Sequence, residues 1–187
     1  MFMKYQENEL LEWVKTLGLA VVLALGIRTF VAEARYIPSP SMVPTLNVND
    51  RLLVEKVTYR FRQPKRGDIV VFSPTETLQE WGYKDDFIKR IIGLPGEKIA
   101  VRNGKVFVNG TPLEEKYILS PPEYVYGPVV VPENEYLVLG DNRKNSSDSH
   151  EWGFVPRDNF IGRASVRFYP FDRIGSLYNE PIYPDKK

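Results

Sequence analysis

The longest apolar stretch of the chain lies near its N-terminus. Residues 17–27 (LGLAVVLALGI) are wholly apolar, and residues 29–32 continue the run past Arg28. A transmembrane helix needs ~20 residues, a length that this run reaches only with the apolar residues that flank it. We therefore predict a short polar N-terminus at 1–15 and a transmembrane anchor at 16–34.

Two other interpretations of this segment stay open. A buried core helix would need a second long helix to pack against, and the pattern shows none. A cleavable signal peptide would be cut after a small-x-small pattern, which Ala32-Glu33-Ala34 provides. Against cleavage, Arg28 separates that site from the apolar core. An uncleaved anchor accounts better for the pattern.

The pattern after residue 50 is that of β-strands. Runs rich in β-branched and aromatic residues predict strands at 51–57, 67–72, 87–92, 99–102, 105–108, 135–139 and 162–169. Asn103-Gly104 between two of these runs is the strongest short signal for a hairpin. Residues 111–132, which carry prolines and tyrosines without a period, are predicted to be an irregular excursion. Residues 35–187 should form one mainly β domain, a folded-over sheet or partly open barrel.

Composition narrows the chemistry that this domain can perform. The 187 residues include no cysteine and one histidine, His150. Thiolate catalysis, cysteine-ligated zinc and a multi-histidine metal site are therefore excluded. The net charge of +1 gives no basic excess for nucleic acid. We expect no metal, no other cofactor and no nucleic-acid partner.

A proline-rich stretch directly after the apolar segment holds a candidate nucleophile. Residues 36–46 read YIPSPSMVPTL. Each proline fixes its own φ and pushes the preceding residue into extended geometry, so we predict stiff, extended chain rather than helix. A serine held in this way presents its hydroxyl in a defined direction, as a nucleophile requires. The same composition would also suit a plain exit from a membrane helix.

Two residues are candidates for the base that activates a serine. One is His150, in a Ser-His-Asp triad, and the other is a neutral lysine, as in Ser-Lys enzymes. Lys89 lies in the apolar run FIKRII, where burial and the charge of Arg90 would lower its pKa. A base working near pH 8 needs a fall of ~2 units, about 3 kcal/mol. Alternatively, Lys89 points outwards from a strand that is buried on one side.

A polar loop follows the strand predicted at 135–139. Residues 140–150 (GDNRKNSSDSH) combine small polar groups with both signs of charge and contain no large apolar side chain. A plain turn is one interpretation. A loop that supports a site fits better, because function concentrates on loops held by a rigid scaffold.

Four motifs, in this order, resemble those of type I signal peptidases. They are SPSMVPTL at 39–46, GDIV at 67–70, KRIIGLPG at 89–96 and GDNRKNSSDS at 140–149. The apolar segment precedes the serine as in that family, and the resemblance covers nearly the whole chain. The sequence around His150, with WGFVP after it, is similar to cyanobacterial and thylakoid members.

The resemblance implies roles for the residues that match these motifs. Ser41 would be the nucleophile and Lys89 its general base. The Ser41 N–H and the Ser39 hydroxyl would be the oxyanion-hole donors. Ser146 would supply the hydroxyl that orients the Lys89 amine.

Charged residues would support this site. Asp141 would pair with Arg90, and Asp148 would brace the same loop. His150 stands where bacterial members often have arginine, which weakens the expected ion pair with Asp148. Lys144 stands where some members have aspartate, which we expect to be surface variation. The insert before this loop is shorter than in larger members, so an extra cap domain should be reduced.

The resemblance further implies a membrane-anchored endopeptidase that removes N-terminal signal peptides from exported preproteins, after a small-x-small motif and through an acyl-enzyme. The residues expected to line its shallow apolar pockets, each of which could equally be ordinary core, are Ile37, Met42, Leu46 and Ile88. Its partners would be preproteins and the lipid bilayer. Residues 1–15 would be cytoplasmic, and the catalytic domain would lie on the extracytoplasmic side of a plasma or thylakoid membrane.

Two other functions compete. A self-cleaving, repressor-type Ser-Lys protease would keep the dyad, but that class lacks a membrane anchor and carries a DNA-binding helix-turn-helix that we do not find here. A non-enzymatic, membrane-tethered β-domain would bind protein or glycan instead. Labelling by a serine-directed acylating inhibitor would separate it from an enzyme.

Overall fold

The computed structural model describes residues 2–177, so residue 1 and residues 178–187, the end of the predicted β domain, lie outside it. The helices are α1 (Phe2–Phe30), α2 (Thr58–Phe61), α3 (Glu76–Glu80) and α4 (Ser149–Trp152). The strands are β1 (Ala32–Tyr36), β2 (Arg51–Glu55), β3 (Ile69–Phe72), β4 (Phe87–Gly93), β5 (Lys98–Arg102), β6 (Lys105–Val108), β7 (Thr111–Pro112), β8 (Tyr126–Val130), β9 (Glu135–Leu139), β10 (Val155–Pro156), β11 (Phe160–Tyr169) and β12 (Gly175–Ser176). Short 3-10 helices are formed by Pro40–Met42, Arg157–Asn159 and Phe171–Arg173.

Helix α1 contains the one segment, within residues 2–177, that is long and apolar enough to cross a membrane. This segment is Glu9–Phe30, and 0% of its apolar window is buried against the protein. An unburied apolar helix is not a core helix, so that alternative is excluded. The bounds of the anchor predicted at 16–34 stay a prediction, and those of the helix differ from them. The helix begins in the polar N-terminus and ends at Phe30, because Ala32–Tyr36 pairs with β2 as an edge strand.

The larger sheet has eight strands in the order β1-β2-β11-β3-β4-β9-β10, with β12 paired to β11. Its neighbouring strands are antiparallel. Irregular pairing between Ala164 and Val166 in β11, and between Ile91 and Gly93 in β4, bends the strands. The sheet curls into a half-barrel, which confirms the predicted mainly β fold.

The smaller sheet has the order β7-β6-β5-β8. Asn103 and Gly104 form the predicted hairpin turn with positive φ, 51° and 71°. Strands β7 and β8 lie within residues 111–132, so this segment is less irregular than predicted. Both contain a proline, Pro112 and Pro128, and both are edge strands, where a missing N–H donor is tolerated.

The core consists of three clusters of buried side chains. One is built around Phe72 and Trp152, on one face of the larger sheet. A second, around Ile99 and Leu137, joins the two sheets. The third underlies the proline-rich stretch and is formed by Ile37, Met42, Leu46, Leu52, Ile69 and Ala164. This third cluster fixes the position of the candidate nucleophile relative to the larger sheet.

Candidate active site

Ser41 lies in a single 3-10 turn of the proline-rich stretch. Ser39 and Val43, which precede prolines, have the predicted extended backbone, with φ/ψ of −128°/156° and −66°/136°. Between them, Pro40–Met42 is helical, and the Val43 N–H donates to the Pro40 carbonyl at 3.1 Å. The prediction of extended chain is therefore wrong for Ser41 itself. Pro40 is the first residue of the turn, where a backbone N–H would have no partner within the turn, so its missing N–H does not prevent the helical conformation.

The Lys89 amine is hydrogen-bonded to the Ser41 hydroxyl. Nζ lies 2.9 Å from Oγ, and the two residues are 4% and 6% exposed. Lys89 thus points into the protein and not outwards from β4. Burial lowers the pKa of Lys89 to about 8, against the opposing negative charges of Asp148 and Asp141. Burial, and not the charge of Arg90, is the cause of this low pKa.

The Ser39 hydroxyl lies beside the candidate nucleophile. Its Oγ lies 3.3 Å from the Ser41 Oγ. The carbonyl of Ser41 accepts the N–H of Asn142 at 3.0 Å, and the Asn142 amide donates to the Pro40 carbonyl at 3.2 Å. These two bonds join Pro40–Met42, the turn of the candidate nucleophile and called the nucleophile turn below, to the loop at 140–150. Sequence reasoning did not assign this role to Asn142.

Gly140 lets the loop approach the nucleophile turn closely. A Cβ at this position would lie 2.5 Å from the Ser41 carbonyl oxygen and 2.2 Å from the Ser146 Oγ, so a side chain does not fit. The Ser146 hydroxyl is buried here and makes no hydrogen bond within residues 2–177. The structure therefore brings Ser146 to the nucleophile turn but does not contain its predicted bond to Lys89.

Asp141 and Arg90 form the expected ion pair. Arg90 Nε and Nη2 donate to the two carboxylate oxygens at 2.8 and 2.7 Å, and both side chains are buried. The Thr45 hydroxyl donates to the same carboxylate at 2.5 Å, and Arg90 Nη1 donates to the Gly67 carbonyl at 3.0 Å. A two-bond guanidinium–carboxylate pair has a fixed geometry. It therefore aligns the strand of Lys89 with the loop and the proline-rich stretch.

Asp148 braces the loop with both of its oxygens. One accepts the Gly140 N–H at 2.9 Å, and the other lies 2.6 Å from His150 Nδ1. Burial alone would lower the pKa of His150, but the hydrogen bond to Asp148 and the charges of Asp148 and Glu151 raise it above its ordinary value. His150 thus contacts Asp148, although a histidine at this position was expected to weaken the ion pair.

A family model described as signal peptidase, peptidase S26, matches residues 10–169. The chain belongs to the signal peptidase family. It is 62% identical to signal peptidase I of Leptolyngbya laminosa, over 95% of this chain and 88% of that protein. It is 62% identical to a probable signal peptidase I-2 of Synechocystis sp., over 93% and 80% of the two chains. With thylakoidal processing peptidase 1 of Arabidopsis thaliana it shares 42% identity, over 89% of this chain and 49% of that protein.

A crystal structure of a signal peptidase I from Enterococcus faecalis is also similar. It has 31% sequence identity and a TM-score of 0.43, and the match covers 55% of this chain and 97% of that chain. The family and the relatives together confirm the resemblance drawn from the four motifs. The protein is a serine endopeptidase of the signal peptidase I type, and neither a repressor-type protease nor a non-enzymatic binding domain.

One ion pair next to the signal peptidase site was missed by sequence reasoning. Arg143 is fully buried and donates two hydrogen bonds to Glu115, at 2.9 and 2.6 Å. Its Nε also donates to the Gly140 carbonyl at 3.0 Å. The ion pair connects the loop at 140–150 to the segment that follows β7. Glu115 lies in a segment without hydrophobic periodicity, so no sequence signal indicated its partner.

Three of the four predicted pocket residues are core residues in this structure. Ile37, Met42 and Leu46 are 2%, 0% and 0% exposed. They belong to the cluster beneath the nucleophile turn, and Ile88 packs against its edge while remaining half-buried. These side chains support the turn from below. Of the four, Ile88 has the exposed surface to contact a peptide.

Proposed function

We propose that the protein removes signal peptides from preproteins with Ser41 as nucleophile and neutral Lys89 as general base. The observation that carries the proposal is the 2.9 Å hydrogen bond between Lys89 Nζ and Ser41 Oγ in a buried site. A lysine with a pKa near 8 supplies a neutral amine at working pH, whereas an ordinary lysine does not. The proposed base is therefore within reach of the proton that it must take.

The reaction would proceed in two stages. Neutral Lys89 takes the Ser41 proton as Oγ attacks the scissile carbonyl carbon, and the oxyanion accepts hydrogen bonds from the Ser39 hydroxyl and the Ser41 N–H. The Lys89 ammonium then protonates the leaving amine, which becomes the N-terminus of the mature protein. Lys89 then deprotonates a water that attacks the Ser41 ester, and the resulting ammonium returns the proton to Ser41 Oγ as the signal peptide leaves with a free carboxylate.

The proposed substrates are cleaved after a small-x-small motif. Large apolar side chains fill the space beneath the nucleophile turn, where Met42 and Leu46 are fully buried. Ile88 is half-buried at the edge of this cluster and offers apolar surface that a small apolar side chain of the substrate would contact.

We infer the bilayer as the second partner. The apolar span ends at Phe30, and the first strand of the catalytic domain begins at Ala32. The domain therefore starts at the membrane surface, where the cleavage site of a membrane-inserted signal peptide emerges. The proposed topology has residues 1–15 in the cytoplasm and the domain on the extracytoplasmic face of a plasma or thylakoid membrane. Protease added to sealed, right-side-out vesicles should digest the domain, and full protection would show the opposite topology.

Cleavage of a preprotein tests the function itself. Detergent-solubilised full-length protein should cut a preprotein after a small-x-small motif, which mass spectrometry of the new N-terminus identifies. Ser41→Ala should be inactive and still fold, because the change deletes the nucleophilic oxygen. Ser73→Ala is the matched control, since its hydroxyl is bonded to the Asn159 carbonyl, outside the site. Turnover by Ser41→Ala, or a cut at another kind of sequence, would contradict the proposal.

A further inference from the structure

The proposed reaction makes no use of His150, yet this side chain is held in a defined orientation beside the site. Its Nδ1 lies 2.6 Å from an oxygen of Asp148. The imidazole also stacks on the Tyr124 ring, with 4.0 Å between centroids and 10° between planes. One hydrogen bond and one stacking contact fix the ring, although 18% of the side chain remains exposed.

The partner of His150 is a buried carboxylate that acts on the site in two ways. Asp148 has no exposed surface, and its second oxygen accepts the N–H of Gly140, the residue that packs on the Ser41 carbonyl. The carboxylate therefore holds the loop against the nucleophile turn. Its negative charge also favours the protonated form of Lys89 and thereby raises the pKa of that amine. The group that positions the loop thus opposes the neutral state of the proposed base.

We propose that His150 is a positioning residue for the Ser41–Lys89 pair, which holds Asp148 in place and, when protonated, compensates the negative charge of Asp148. His150 acts through Asp148 and does not touch the reacting atoms. The inference rests on the proposed function, because it requires Lys89 to act as the base.

The other charged groups around the imidazole favour its protonated form. Nε2 lies 3.7 Å from Glu151 Oε1. His150 also borders a cleft of about 430 Å³, which includes Glu123, Arg143 and Lys144. Arg143 is paired with Glu115, and Lys144 with Glu123, so these pairs add little net charge. Asp148 and Glu151 remain, and they raise the pKa of His150 despite the opposing effect of burial.

The coupling predicts a pH-dependent difference between variants. Below the pKa of His150, the imidazolium compensates the charge of Asp148. His150→Gln lacks this compensation, so the pKa of Lys89 should be higher in the variant. If it rises by about 0.5, kcat/KM at pH 6 should be about three-fold lower than in wild type. Above the pKa of His150 the wild-type imidazole is neutral, so the kcat/KM values of the two proteins should converge as the pH rises. His150→Arg keeps a positive partner for Asp148 and should equal or exceed wild type at pH 6 and at pH 9.

A control variant separates this effect from general changes of charge. Lys144→Gln removes a positive charge from the same loop, but Lys144 pairs with Glu123 and not with Asp148. Its profile should follow wild type. Superimposable profiles for His150→Gln and wild type would overturn the proposal. So would an equal loss at pH 6 and pH 9 that His150→Arg does not restore, since that outcome marks a purely structural role.

A second measurement does not depend on activity. The chain has one histidine, so the imidazole NMR signals of selectively labelled, untagged full-length protein belong to His150. We expect its titration midpoint to lie above the ordinary value of ~6.5 and to fall in Asp148→Asn. A midpoint that Asp148→Asn leaves unchanged would overturn the coupling. Activity in Ser41→Ala or Lys89→Arg would instead refute the proposed Ser41–Lys89 dyad. The NMR titration does not depend on activity, so it tests the His150–Asp148 contact separately from the dyad.

Discussion

Replacing Lys89 by methionine should stabilise the fold at neutral pH, although it removes the proposed base. Lys89 is 4% exposed, and burial lowers its pKa from 10.5 to about 8. Each unit between the folded and unfolded pKa corresponds to about 1.4 kcal/mol, so holding the protonated amine in the folded chain costs about 3 kcal/mol at pH 7. Loss of the hydrogen bond to Ser41 offsets about 1 kcal/mol. The net gain in the free energy of unfolding should be about 2 kcal/mol.

The pH dependence of this gain identifies its cause. Between pH 8 and pH 10.5 the unfolded chain still binds the Lys89 proton while the folded chain has lost it, so wild-type stability rises with pH. Lys89→Met has no such proton. Its advantage should therefore narrow by about 2 kcal/mol between pH 7 and pH 9.5.

Urea unfolding in detergent, followed by tryptophan fluorescence, to which the buried Trp152 contributes, measures these free energies. Taking the difference between the two proteins removes the contributions of groups that lie away from Lys89. Lys105→Met, at an exposed lysine of β6, is the control and should show no pH-dependent gain. A Lys89→Met variant that is less stable than wild type at pH 7, or a gain that is constant with pH, would refute burial as the origin of the low pKa.

Two further predictions concern groups around the nucleophile. Gly140→Ala should lower kcat about 10²-fold, because its Cβ would lie 2.5 Å from the Ser41 carbonyl oxygen and displace the nucleophile turn. Gly175→Ala, whose Cβ meets nothing within 4 Å, should remain active, and equal kcat values would contradict the close approach at Gly140. Ser39→Ala should lower kcat by ~10²–10³ with little change in KM, since its hydroxyl would donate to the oxyanion only as that charge forms. Steady-state kinetics on a preprotein measure both, and an unchanged kcat would remove Ser39 from the site.

The strands that could be predicted are those whose own residues carry the signal. Strands β3 and β4 are apolar runs, and Asn103-Gly104 determines the hairpin of the smaller sheet. Strand β1 (AEARY) has no such pattern, and part of it was assigned to the anchor. Strand β8 contains Pro128, which a strand tolerates only at an edge, and an edge position is a property of the assembled sheet.

In the candidate site, too, individual residues could be predicted from the sequence, whereas the contacts between them depend on the fold. Ser41 and Lys89 could be proposed from motifs, but the 2.9 Å between their reacting atoms depends on how the turn packs beside β4. In sequence, an apolar residue near a serine is equally consistent with a pocket wall and with the hydrophobic core. In the folded protein, Met42 lies in the core. The buried pair of Arg143 and Glu115 joins residues 28 apart, without a local pattern. The bond from Ser146 to Lys89 stays a prediction.

The dependence of kcat/KM on pH for wild type and Lys89→Arg tests the central claim most directly. Because the base must be neutral, wild-type kcat/KM on a preprotein should rise with pH through a midpoint near 8 and then level off. Lys89→Arg should be inactive from pH 6 to pH 10, since a guanidinium stays protonated over that range. An active Lys89→Arg enzyme with an unshifted profile would show that Lys89 serves only as a positive charge, and would contradict the mechanism.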